Sequence, residues 1–293
     1  MHSRTARRWI TTIAALVTVA VAGPAAASDP ASRAGNMGDS YAAGEGGTEH
    51  GPYLDESDTD TDKCHRSNTS AFELLAHAGN IRPVVNAACG GATTANITTI
   101  GQYGEPTQAA QLSPSLKLIY VMIGGNDIGF GRLAGCFIQQ LNCEQTPIPA
   151  ISLQLVAQLG PKLDAAYTAV RTRAPHARVV VTLYPPLLPQ NPNADLSQCP
   201  EINASELLLG NQVESALNQT ITERAHAHGF TVADPKPAFL GHDICAGPGT
   251  FFYRPEMPGT YHPNLAGRVA LSAVDAAATP AATKGRGPLG HSA

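Results

Sequence analysis

Four apolar runs along the chain have the length and content of β-strands: 84–87, 116–123, 179–183 and 230–233. The second and third are almost uninterrupted, as strands covered on both faces are. Between the runs, apolar residues recur at helical spacing over 71–78, 153–173 and 205–228. In the last of these Leu207, Leu208, Val213, Leu217 and Ile221 mark one face. Strands alternating with helices predict an α/β fold of three α/β/α layers, a mostly parallel sheet with helices on both faces. A short first strand is also expected just before Gly38, although residues 28–37 lack an apolar run and only Ala34 and Met37 are apolar near the motif. In open sheets of this kind the site lies beyond the carboxyl ends of the strands.

The segments between these elements are rich in Gly and Pro, and 44–66, 124–149, 184–203 and 240–262 read as long loops. Residues 279–293 read as a disordered tail. Residues 1–27 have the three parts of an export signal: Arg4, Arg7 and Arg8, an apolar run over 10–22, and Ala25-Ala26-Ala27 as a cleavage site. The run is too short to span a membrane, which needs roughly 20 residues. Residues 28–278 then form a single domain. Removing the signal takes three arginines and no acid, leaving 16 basic against 23 acidic residues and a net charge of about −7. Such a chain has no basic patch for nucleic acid. A soluble monomer with no cofactor is expected.

Six cysteines, an even number in an exported chain, predict three disulfides. Six cysteines allow 15 pairings, among which sequence alone does not choose; the preferred one, in sequence order, closes the shortest loops and joins Cys64 with Cys89, Cys136 with Cys143, and Cys199 with Cys245. Zinc is disfavoured, because there is no Cys-x-x-Cys and no paired Cys/His spacing. The acidic run from Asp55 to Asp62 invites a calcium reading. An EF-hand loop opening at Asp58 would need Gly at its sixth position and Glu at its twelfth, where Lys63 and Thr69 stand. No metal site is expected. His226 and His228, two apart on a helix, point away from each other and do not make a ligand pair.

Three short motifs carry the chemistry. Gly38-Asp39-Ser40 offers a hydroxyl on a tight turn, Gly124-Gly125-Asn126-Asp127 a side-chain amide, and His262-Pro263-Asn264 an imidazole. A serine hydroxyl is a poor nucleophile until a base takes its proton, and a neutral amide can stabilise the oxyanion that follows. Taken singly each has a plain structural reading: Ser40 as a helix cap, Asn126 as a loop residue bonding its own backbone, His262 as a satisfied loop histidine.

In four ordered blocks the chain resembles the SGNH, or GDSL-type, hydrolases, and in particular their secreted actinobacterial lipases and esterases. The blocks are Gly38-Asp39-Ser40-Tyr41-Ala42-Ala43-Gly44-Glu45-Gly46, Ala88-Cys89-Gly90-Gly91-Ala92-Thr93-Thr94, Gly124-Gly125-Asn126-Asp127-Ile128-Gly129-Phe130 and Tyr261-His262-Pro263-Asn264. The resemblance implies the SGNH-hydrolase fold, three α/β/α layers around a mostly parallel, flavodoxin-like central sheet, and an acyl-enzyme mechanism on carboxylic esters. Ser40 is then the nucleophile and His262 the general base. The oxyanion hole is the backbone N–H of Ser40, the backbone N–H of Gly91 and the side chain of Asn126.

The resemblance breaks at one position. The superfamily usually has Asp three residues before its histidine, and here that residue is Gly259. A Ser40–His262 dyad is therefore expected, its imidazole donating to a main-chain oxygen near Gly259 or Thr260, with Asp243 as the alternative orienter. Activity should rise through roughly pH 6.5 unless that pKa is shifted. Ile128, Phe130, Leu133, Phe137 and Ile138 either line an acyl pocket or pack in the core. Lipase or esterase activity on a lipid or small ester is the leading expectation. Polysaccharide O-deacetylation, a phospholipase activity and a non-catalytic, disulfide-stapled binding protein are the alternatives.

Overall fold

Five parallel strands form one sheet in the order β2-β1-β3-β4-β5, with β1 at Arg33–Gly38, β2 at Arg82–Asn86, β3 at Leu118–Met122, β4 at Arg178–Thr182 and β5 at Thr231–Ala233. The computed structural model describes residues 32–48, 53–139, 142–255, 257 and 259–279. The expected export signal and the tail beyond Thr279 lie outside the described residues. Nine helices connect the strands among the described residues: α1 Ser40–Ala43, α2 Ala71–His77, α3 Thr94–Thr98, α4 Phe130–Ile138, α5 Ile148–Ala157, α6 Leu159–Arg173, α7 Ala204–Ala227, α8 Lys236–Phe239 and α9 Leu265–Ala278.

Both faces of the sheet are covered. Leu118, Tyr120 and Val180 pack toward α2 and α9 with Phe72, Leu75 and Val274. Ile119, Val121, Val179 and Val181 pack the other way, among Leu163, Tyr167, Leu217 and Ile221 of α6 and α7. Covering on both faces is why these central strands are apolar at every position.

The weak first strand is real and nearly all buried, and small residues make it so. A Cβ at Gly35 would press against Val85 at 3.1 Å and Leu116 at 3.2 Å. Asn36 is buried but satisfied, its Nδ2 donating to Ala42 O at 3.1 Å and Asn86 Oδ1 at 3.0 Å. Close approach of the neighbouring strands replaces the bulk that an apolar run would supply.

Three expectations change. The helical pattern over 153–173 is two helices meeting at Gln158, because Pro161 has no N–H to give the carbonyl four residues back. A proline fits the first turn of α6, where that donor is unpaired anyway. The expected loop at 124–149 contains α4 and the start of α5. Thr279, where the tail was expected to begin, is buried and donates to Asp275 O at 2.8 Å.

The disulfides pair as expected, Cys64–Cys89, Cys136–Cys143 and Cys199–Cys245. In the acidic loop, Asp58 pairs with Lys63 at 2.9 Å and Asp62 accepts the Cys64 N–H at 2.8 Å. His228 at the end of α7 meets Asp164 at 3.1 Å. No helix of the described residues is long and apolar enough to cross a membrane.

Candidate active site

The three motifs meet at the carboxyl ends of β1 and β3. β1 ends at Gly38, whose φ of +137° and contact with β3 leave no room for a side chain; a Cβ there would run into Met122 O. Gln108 holds this residue from both sides, accepting its N–H at 2.8 Å and donating to its C=O at 2.9 Å. Asp39 then caps α1, accepting Tyr41 N–H at 3.0 Å, and Ser40 becomes the first residue of the helix. The cap that a plain structural reading gave to Ser40 is made by Asp39 instead.

Ser40 Oγ lies 2.7 Å from His262 Nε2, although the two residues are 222 apart in sequence. His262 Nδ1 lies 3.1 Å from both Gly259 O and Thr260 O. A carbonyl can only accept, so Nδ1 carries the proton and the lone pair of Nε2 faces the serine hydroxyl. Asp243, the alternative orienter, accepts Cys245 N–H at 2.9 Å and makes no hydrogen bond to His262.

The backbone also explains why residue 259 is not an aspartate. Gly259 has φ +78°, and a Cβ there would come within 2.5 Å of Gly46 Cα. Tyr261 takes the left-handed region too, at φ +63°, with its carbonyl accepting the Tyr41 hydroxyl at 2.6 Å. The Tyr41 ring packs 4.9 Å from the imidazole.

Gly91 (φ +72°) and Asn126 complete the group, and both line one cleft with Ser40 and His262. Asn126 Nδ2 donates to Ala92 O at 2.9 Å, which fixes the amide plane while leaving its second N–H for a ligand. The loops carrying them are bound together. Asp127 accepts both the N–H and the hydroxyl of Thr94, at 2.9 and 2.7 Å. The Cys64–Cys89 disulfide holds the Gly91 loop from the other side, and Gly90 N–H donates to Cys64 O at 3.0 Å.

One further residue was not legible in the motifs. Tyr184, just beyond β4, donates its hydroxyl to Asp39 Oδ2 and accepts Gly125 N–H at 2.8 Å. It thus ties the residue before Ser40 to the residue before Asn126. Its ring leaves no slack, since a Cβ on Gly125 would lie 3.1 Å from it. The only sequence signal is its place at the carboxyl end of an apolar run, where site residues of such sheets gather. Burial pushes Asp39 up to about 7, against the pull of the Tyr184 and Tyr41 hydrogen bonds.

Burial acts oppositely on His262, lowering it to about 4, and the two carbonyls only partly oppose this. The acid limb expected near pH 6.5 therefore moves down. Phe130 and Ala134 line both the cleft and an apolar pocket beside it. Of the five suggested pocket residues, Ile128, Phe130, Leu133 and Phe137 line this pocket, whereas Ile138 faces outward.

Known proteins resemble this chain in sequence and in fold. A profile of the GDSL-like Lipase/Acylhydrolase family matches residues 37–270. Lipase 1 of Streptomyces coelicolor is 31% identical over 262 residues, covering 87% of this chain and 90% of that protein. A lipase of Streptomyces rimosus is 30% identical over 278 residues, covering 90% and 95%. Among solved structures, the extracellular lipase of S. rimosus superposes with a TM-score of 0.71 at 27% identity, over 85% of this chain and 100% of that one. Phospholipase A1 from Streptomyces albidoflavus gives 0.69 at 26%, over 83% and 99%.

Two outcomes follow from the site's geometry. Tyr184→Phe strands a buried carboxylate oxygen and the Gly125 N–H, at about 1–3 kcal/mol each. It should lower kcat about tenfold or more with little change in KM, in a protein whose circular dichroism is unaltered; an unchanged kcat would contradict the tie. The kcat/KM profile should fall on the acid side with a midpoint near pH 4, since protonation there leaves Nε2 without a lone pair for the Ser40 hydroxyl. The unfolded imidazole takes its proton near 6.5, so stability also declines as pH drops from about 6.5 toward 4. Initial rates must therefore be read on protein shown to be folded. A limb centred at 6.5 would be inconsistent with an imidazole lowered by desolvation.

Proposed function

The chain belongs to the GDSL-like lipase/acylhydrolase family and is a serine hydrolase of carboxylic esters, and from that premise we propose a secreted lipase working through a Ser40–His262 dyad. Its single catalytic domain begins at residue 28, following an export signal at 1–27, and its last helix carries it through the buried Thr279. Export is supported by the three disulfides and by the likeness to a lipase described as extracellular.

In this reading His262 Nε2 takes the Ser40 proton as Oγ attacks the ester carbonyl. The oxygen that becomes negative is received by the N–H groups of Ser40 and Gly91 and by the free N–H of Asn126. His262 next gives its proton to the departing alcohol, leaving an acyl group on Ser40. Water entering the same position is deprotonated by Nε2, and the acid leaves. The Gly259 and Thr260 carbonyls fill the orienting role of the missing carboxylate. They hold the tautomer without adding a charge.

The observation that carries the lipase reading is the apolar lining of the pocket next to the dyad, about 60 Å³ in volume, which suits the first carbons of an acyl chain. Removal of polysaccharide acetyl groups has no such support. The remaining cleft, of about 450 Å³, is walled by Lys63, His65, Glu45 and Tyr103 and would take the alcohol part of the ester. That charged wall, with the likeness to a phospholipase A1, favours a phospholipid as the second substrate to try.

Hydrolysis of p-nitrophenyl esters from C2 to C16 tests the reading. Ser40→Ala should lose about 10⁴-fold or more in kcat, and the wild-type optimum should lie at chains longer than acetyl. Turnover unaffected by the substitution would refute the nucleophile, and an acetyl optimum would refute the acyl pocket.

A further inference from the structure

The apolar pocket contains one group that an aliphatic chain is a poor neighbour for. Glu214, on α7, is the only carboxyl among the described residues lining it, set among Phe137, Leu187, Leu188, Val213 and Leu217. Its Oε2 accepts Leu187 N–H at 3.3 Å, and no ion pair reaches it within the described residues. The charged and titratable groups that act on it are Lys236 of α8, Asp234 just before α8, and Tyr41 of α1. The residues the pocket shares with the catalytic cleft, Phe130 and Ala134, are on α4, so Glu214 belongs to the wall contributed by a different helix.

A saturated chain lying against this carboxyl strips it of water and offers no hydrogen bond in return, and a polar group so treated costs free energy. A hydroxyl on the chain restores the bond. Resting on the acyl-pocket reading above, we propose that Glu214 is a specificity-determining residue that favours acyl groups carrying a hydroxyl toward their distal end over saturated chains of equal length. A site that hydrogen-bonds a substrate hydroxyl rejects the analogue lacking it far more strongly than an apolar pocket rejects an extra methylene. Burial holds the Glu214 carboxyl up at about 7. Below that pH it is a neutral donor and acceptor. Above it, the charged form is costlier to desolvate and still accepts from a hydroxyl, so the preference grows as pH rises through 7.

The test uses the full protein and two ester series, p-nitrophenyl esters of saturated acids and of the matching distal hydroxy acids, at pH 6 and pH 8.5. In the wild type, kcat/KM for the hydroxy ester should exceed that of its saturated partner by roughly tenfold once the chain is long enough to reach Glu214, and more at pH 8.5. Glu214→Leu should bring the ratio to about one by raising turnover of the saturated ester. Glu214→Gln keeps an acceptor for Leu187 N–H, so it folds if that bond is all the fold requires. It should retain the preference but lose its growth with pH. A wild-type ratio near one at every length, or a ratio that neither variant alters at either pH, would overturn the role of Glu214 while leaving the dyad intact. Ser40→Ala in the same assay separates the two readings, because turnover surviving there would remove the site itself and the pocket's role with it.

Discussion

Everything at this site depends on how one imidazole is held. His262 is oriented by the main-chain oxygens of Gly259 and Thr260, neutral groups fixed by the path of the backbone. That path turns through left-handed conformations at residues 259 and 261, is pressed against Gly46, and is tied to α1 by the Tyr41 hydroxyl. A carboxylate would have supplied both orientation and charge. Carbonyls supply the orientation with only a partial dipole, so burial of the ring prevails and its pKa falls. The arrangement therefore exchanges basicity for availability, since the imidazole is neutral over a wider range of pH.

The remaining parts are positioned by the sheet and then locked to each other. β1 and β3 lie side by side, so the turns that leave them bring Ser40 and Asn126 into one cleft. Three cross-ties then remove the freedom left to those turns. Tyr184 joins Asp39 to Gly125, Asp127 joins the Asn126 loop to Thr94, and the Cys64–Cys89 disulfide anchors the Gly91 loop. In the proposed mechanism, donors fixed before the reaction need no reorganisation when the oxyanion forms, which is where such sites gain most of their advantage.

Much of this was legible in the sequence, and the exceptions have physical causes. β3 and β4 stand out because both their faces are buried. β1 does not, because Gly35 and Asn36 let its neighbours approach and satisfy its one buried amide. The break at Gln158 was hidden because Pro161 is unremarkable in a first turn and disruptive only in a helix interior. The motif residues stand out because their chemistry is rare in combination, and the fold brings Ser40, His262, Gly91 and Asn126 to one cleft. Tyr184 was missed because a tyrosine after a strand is common, and only the fold reveals two partners on different loops. Ile138 was grouped with its pocket neighbours by composition, yet α4 turns it outward.

The central claim is a carbonyl-oriented imidazole, protonated on Nδ1 and lowered in pKa by burial. Nitrogen-15 NMR of the histidine-labelled protein, with His262 assigned by comparison with His262→Gln and followed as pH is lowered, reads both properties from the ring itself. The account predicts a neutral ring with its proton on Nδ1 at pH 6, titrating near pH 4. A ring carrying its proton on Nε2, or one that titrates at the ordinary value near 6.5, would contradict it.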